Sequence, residues 1–113
     1  MPISVSRGKS LGRATLRATL LNAAAATGDG EWVQLGGFHP CTVHFDFTGV
    51  ATIELDAHNS PTRPLDTDHG FVLNSTSTDN AIQISNPYEW VKARVTSFTS
   101  GTVSAWLVGN EAQ

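Results

Sequence analysis

The chain has 113 residues, 40% of them hydrophobic and only 15% charged, with a formal net charge of −3. That length suits one domain, with a core large enough to need no covalent staples. A single cysteine, Cys41, excludes an intramolecular disulfide framework, and no run nears the roughly 20 apolar residues of a helical membrane span.

The opening stretch, Met1 to Lys9, carries no long apolar segment ahead of a small-residue cleavage site, so synthesis in a cytosol is expected. Arg7, Lys9, Arg13 and Arg17 fall in the first 17 residues with no acid among them. The rest of the chain holds all ten acids against Arg63, Lys92 and Arg94. A basic segment therefore precedes an acidic body. Residues 1–17 are expected to form an N-terminal arm, either solvated or docked on a neighbouring copy, and residues 18–113 a single domain. Four cations without interleaved aromatics make nucleic acid an unlikely partner.

Arg13-Ala14-Thr15-Leu16 repeats as Arg17-Ala18-Thr19-Leu20, which predicts a strand with Ala14, Leu16, Ala18 and Leu20 inward. The run Leu20 to Ala26, with four alanines, allows at most one helical turn before the Thr27-Gly28-Asp29-Gly30 turn cluster. Glu31 to Leu35 reads as a short strand stopped by Gly36-Gly37. Cys41, Val43, Phe45 and Phe47 alternate with Thr42, His44 and Asp46, as in a half-buried strand. After Thr48-Gly49, Ala51, Ile53, Leu55 and Ala57 alternate with Thr52, Glu54 and Asp56, so a hairpin is expected there.

Pro61 and Pro64 mark residues 58–68 as a long surface loop. Phe71–Leu73 and Ala81–Ser85 read as short strands around a polar run. Val91, Ala93 and Val95, then Val103, Ala105 and Leu107, alternate with polar neighbours on either side of Thr99-Ser100-Gly101, which predicts a second hairpin. About eight strands separated by regular turns indicate an all-β, antiparallel two-sheet sandwich, of jelly-roll or Ig-like connectivity. The expected core is Val43, Phe45, Phe47, Ile53, Leu55, Ile84, Val91, Val95, Val103 and Leu107.

Chemistry is sparse. His39, His44, His58 and His69 match no zinc spacing, and Cys41 has no second cysteine to complete a site. Asp66-Thr67-Asp68-His69-Gly70 begins like a calcium loop, but glycine comes fifth rather than sixth and Ser77 stands where the twelfth-position Glu belongs. It reads as a turn in which Asp side chains bond the backbone. There is no Gly-x-Ser-x-Gly elbow and no phosphate-binding glycine loop. No catalytic residue, cofactor or metal is expected, and the chain reads as a non-enzyme. Asn74-Ser75-Thr76 matches a glycosylation sequon that needs a secretory route to matter. Trp90 and Trp106 alternate away from the core face and, with the basic residues, are the candidate assembly contacts. Typical domains carry about 25% charged residues. Here Ser, Thr and Asn cover the surface instead, and low charge suits protein contacts.

Two stretches carry a resemblance. One runs from Ala14 to Gly37 and contains Leu-Leu-Asn-Ala-Ala-Ala-Ala-Thr-Gly-Asp-Gly-Glu-Trp-Val-Gln-Leu-Gly-Gly. The other is Tyr88-Glu89-Trp90-Val91-Lys92-Ala93-Arg94-Val95-Thr96, followed by Thr99-Ser100-Gly101-Thr102-Val103. Together they resemble small β-sandwich virion structural proteins of tailed bacteriophages, of the capsid decoration or cement type or a related tail or neck component. The resemblance implies a virion protein made in the host bacterial cytoplasm, present in many copies. Its expected partners are copies of itself and neighbouring virion proteins, first the major capsid protein, with no membrane partner. A tail, neck or baseplate role is the alternative. A carbohydrate-binding module using Trp90, Trp106 and Tyr88 is a further one, so a glycan partner stays open. A metal-dependent enzyme rests only on the histidines and the Asp66–Gly70 turn.

Overall fold

The computed structural model describes residues 5–10, 13–36 and 38–111. Its described residues form ten strands: β1 (Val5–Ser10), β2 (Arg13–Ala24), β3 (Gly28–Asp29), β4 (Val33–Gln34), β5 (Phe38–Phe47), β6 (Ala51–His58), β7 (Phe71–Thr76), β8 (Asn80–Ile84), β9 (Trp90–Phe98) and β10 (Val103–Glu111). They make two antiparallel sheets. One has the order β1-β2-β10-β5-β8. The other has the order β3-β9-β6-β7, with β4 also on β9 beside β3.

Setting β1 aside and taking β3 with β4 as one broken strand leaves eight strands. The first pairs with the last, the second with the seventh, the third with the sixth and the fourth with the fifth. This is a hairpin wound around a barrel, the connectivity of a jelly roll, and it separates the two alternatives left open by alternation.

The inward faces supply the core. Leu16, Leu20, Val43, Phe45 and Leu107 of one sheet meet Ile53, Leu55, Val91, Ala93 and Val95 of the other, all buried. Apart from Ala93, each such side chain is worth roughly 1.5–3 kcal/mol when fully buried. Nine of the ten expected core residues are buried, and Phe47 packs partly buried at the rim.

Both expected hairpins are corrected. β5 and β6 lie in different sheets, and so do β9 and β10. Their connections are arches that carry the chain across the sandwich. Alternation states which residues face inward, and an arch satisfies that pattern as well as a hairpin does. The two arches support each other: Thr48 N donates to Thr102 O at 3.0 Å, Val50 N to Ser100 O at 3.0 Å, and Thr99 N to Val50 O at 2.8 Å. Gly101, at φ +79, sits so close that an added Cβ would lie 2.6 Å from the Gly49 nitrogen.

The helical turn expected in the alanine run is also absent, because β2 continues as strand to Ala24. It does so with two bulges against β10. Ala105 faces Leu21 while Trp106 faces Thr19, so Leu20 is the extra residue. The bulge turns both Leu20 and Leu21 into the core. At the second irregularity Ala23 takes φ 51 and donates its N–H to Ser104 Oγ at 3.0 Å. The boundary expected at residue 17 falls inside β2, and the described part of the basic segment is the edge hairpin of β1 with β2, in register from Val5↔Ala18 to Ser10↔Arg13.

Gly101→Ala should lower unfolding stability by about 1–3 kcal/mol, through both the positive φ and the clash with the neighbouring arch. Urea denaturation checks this. A loss under about 0.5 kcal/mol, within the range of ordinary surface changes, would show that the arches do not pack as described.

Candidate functional site

The two outward faces of the sandwich differ. On the β9–β6 sheet the outward residues that face the 59–70 loop side are charged or aromatic: Glu54, Asp56 and His58 on β6, Trp90, Lys92 and Arg94 on β9, with Thr52 and Thr96 beyond them. The loop of residues 59–70 lies across them. Trp90 Nε1 donates to Ser60 O at 2.9 Å, and Trp32 Nε1 to Leu65 O at 2.9 Å. Lys92 Nζ donates to Asp66 O. Asn59 Oδ1 accepts from Glu89 N at 3.0 Å, and Ser60 N donates to His58 Nδ1 at 3.1 Å. Side-chain donors on the sheet thus satisfy loop carbonyls, which is what a loop with two prolines needs in order to be held without its own ladder.

Lys92 and Asp56 are a cross-strand pair and both are 0% exposed. Lys92 Nζ lies 4.8 Å from the Trp32 ring centroid and 3.9 Å from Asp29 Oδ1. Burial first of all pulls the Lys92 ammonium below its ordinary range, and Asp29 and Asp56 oppose that. Arg94 donates from Nε to Glu54 Oε2 at 2.8 Å and places the same Nε 3.2 Å from Asp56 Oδ2, without hydrogen-bond alignment.

Neither Asp56 oxygen accepts a hydrogen bond. The environment favours the protonated form of this carboxyl. Burial first, then the hydrogen bond to Glu54, pushes Asp56 up to about 7. The neighbouring Asp56 carboxyl is in turn the leading cause of the lowered Glu54 pKa, with Arg94 adding to it.

The Asp66–Gly70 segment is the turn expected. Asp68 N donates to Leu65 O at 3.0 Å, and Asp68 Oδ1 accepts from Gly70 N at 2.9 Å. Asp68 also meets His58 Nε2 at 2.9 Å, and both contacts hold its carboxyl below its ordinary range, the Gly70 bond first. His69 Nε2 is 3.4 Å from Asp29 Oδ1. Among the described residues no three His, Cys, Asp or Glu groups converge as a metal site. Cys41 is buried, donates to Phe38 O at 3.0 Å, and burial raises its thiol to about 11.

Among the described residues, no loop lies across the outward face of the other sheet in this way. Arg17 and Thr19 on β2, Ser104, Trp106 and Val108 on β10, Thr42, His44 and Asp46 on β5, and Ala81 and Gln83 on β8 form a flat field. Trp106 is 40% exposed at its centre, with the His44 ring tilted against it at 5.6 Å. Trp106 and Arg17 are thus exposed, as expected of contacts. Trp90 is corrected: it points away from the core but is only 8% exposed under the 59–70 loop. The backbones at Arg7 and Lys9 stand opposite Leu16 and Ala14, and Arg13 opens β2. Their side chains lie outside the described residues. Tyr88 packs on Phe71 at 5.3 Å beside an open cleft of about 220 Å³ that Leu73, Ile82 and Ile84 also line.

The Asp56–Lys92 cluster was missed in the sequence. Its signal was present: two long polar residues facing outward on adjacent strands, next to two indoles and followed by a long proline-bearing loop that has to lie on something.

No protein-family model matches the sequence, and no curated protein matches it. Among solved structures, the fold is similar to the crystal structure of SPBc2 prophage-derived protein YomS. The TM-score is 0.67 at 21% identity, over 86% of this chain and 93% of that chain. The likeness at that identity is one of fold.

Because Asp56 holds its proton in the fold up to about pH 7 but ionises near 3.8 when unfolded, its contribution is present at low pH and lost as pH rises through about 7. Thermal stability should therefore fall between pH 5 and pH 8. Asp56→Asn should flatten that decline and add roughly 1–2 kcal/mol at pH 8. Equal pH profiles for the two proteins, measured by calorimetry, would contradict this. Trp32→Phe, which removes the indole N–H bonded to Leu65 O, should speed amide exchange in the 59–70 loop and cost about 1 kcal/mol. Exchange left unchanged by mass spectrometry would show that the loop is held by other means.

Proposed function

We propose that the chain is a non-enzymatic structural protein of a tailed-phage particle, acting as a capsid decoration or cement protein that stabilises the shell through contacts with the major capsid protein and with its own copies. The observation that carries the reading is the contrast between the two outward faces. On one face, where reactive chemistry would be sought, Lys92 and His58 hold a loop in place and Arg94 is paired with Glu54 and Asp56. The other face, with an exposed tryptophan at its centre and only Arg17 and Asp46 charged among its described outward residues, is left open. Interface cores are depleted in charge and enriched in aromatics, and Trp is over-represented among the residues that dominate binding.

Two further points support a particle role. Jelly rolls recur in viral capsid domains, although they also recur in lectins. The fold neighbour is of prophage origin. Modest interfaces suffice for cement, because closed symmetry repeats each contact over the shell.

The experiment is to locate the chain in purified particles. Deleting residues 1–17 is a poor test, since it removes β1 and the buried Leu16 and so perturbs folding. Quantitative mass spectrometry of whole particles, empty heads and isolated tails should find the chain on heads, in copy numbers matching capsid subunits or capsomers. Particles lacking it should lose DNA at lower temperature. A handful of copies confined to tails would favour the tail, neck or baseplate role, and absence from particles would remove the virion reading.

A further inference from the structure

The open face of the β2-β10-β5-β8 sheet has a charge arrangement suited to one particular occupant. Its centre is Trp106, paired with Thr19 on one side and His44 on the other. Arg17 lies one strand to the β2 side, opposite Val108, two residues beyond Trp106. Asp46 lies one strand to the β5 side, opposite Ser104, two residues before Trp106. With strands about 4.8 Å apart and about 3.4 Å per residue, each charge sits about 8 Å from Trp106 on opposite ends of one diagonal. Neither forms an ion pair among the described residues. Between them the field is Thr, Ser, Val, His and Trp.

We propose that this face binds the same face of a second copy, about a two-fold axis that passes over Trp106 and lies in the interface perpendicular to the Arg17–Asp46 diagonal. That operation sets each Arg17 over the partner's Asp46, and both Trp106 side chains at the centre with the His44 rings. It crosses the strands of the two sheets at about 70°, nearer the orthogonal than the aligned arrangement in which sheets stack face to face. A two-fold contact requires a self-complementary patch, and opposite charges placed symmetrically about a central aromatic provide it. Four strands of about 20 Å give a small footprint, near the low end of specific interfaces, so association in the micromolar range is expected. Such a contact would let neighbouring decoration subunits clasp one another. It deepens the particle reading and rests on that reading only for its setting. The pairing itself is tested in the isolated chain, so its failure is distinguishable from absence of the protein from particles.

The test is analytical ultracentrifugation of the full chain, with circular dichroism confirming that each variant folds. The wild-type chain should pass from monomer to dimer over micromolar concentrations. Trp106→Ala should weaken the dimer about tenfold or more, as expected for a central aromatic. Arg17→Asp and Asp46→Arg should each weaken it about tenfold, since each places like charges opposite one another. The double variant Arg17→Asp/Asp46→Arg should recover to within about threefold of wild type, because the swap restores both pairs. A chain that stays monomeric at about 1 mM, where even a weak specific contact would populate, overturns the proposal. So does a dimer indifferent to Trp106→Ala, or a double variant as weak as the product of its singles. Saturable binding of a glycan or of another virion protein to this face by a strictly monomeric chain counts against it in the same way.

Discussion

Each sheet has one apolar face, and the two can be buried only against each other. That constraint fixes the sandwich and leaves two outward faces to be dealt with separately. One is covered from within by the 59–70 loop, whose carbonyls at Ser60, Leu65 and Asp66 accept from Trp90, Trp32 and Lys92. The other stays open around Trp106. One face of the protein is thus sealed by its own chain, and the other is available for contacts.

Sealing carries an electrostatic cost. Placing Lys92 and Asp56 out of water is unfavourable unless each is paired or neutralised. The structure uses both routes. Lys92 donates to Asp66 O with Asp29 and the Trp32 ring nearby, while burial pushes the Asp56 carboxyl up to about 7, towards its neutral form, beside Glu54 and Arg94. An apolar pair in those positions could pack as tightly, but it would offer no donor to a loop carbonyl. The arrangement is thus an anchor for the loop.

Much of this fold was legible in the alternation of residues 41–57 and 91–107, because period-two hydrophobicity reports which side chains face the core. It does not report which sheet a strand joins. Both presumed hairpins were therefore arches, and only the stacking of Gly101 on Gly49 shows why the chain crosses there. The Leu20-Leu21 doublet looked like the start of a helical turn, because a bulge breaks the alternation that would have marked it as strand. Of the two indoles expected at the surface, alternation placed both on outward faces correctly. Whether a distant loop then covers one is a tertiary fact that local pattern does not carry. Trp106 is open and Trp90 is not.

The central claim is that the open face, and not the loop-covered one, makes the contacts. Oxidative footprinting of the free chain and of the assembled particle tests it directly. Trp106 should be oxidised in the free chain and protected in the particle, while Trp32 and Trp90 stay unreactive in both. Protection that instead appears on exposed Leu65 and its loop, with Trp106 equally reactive in both states, would contradict the account.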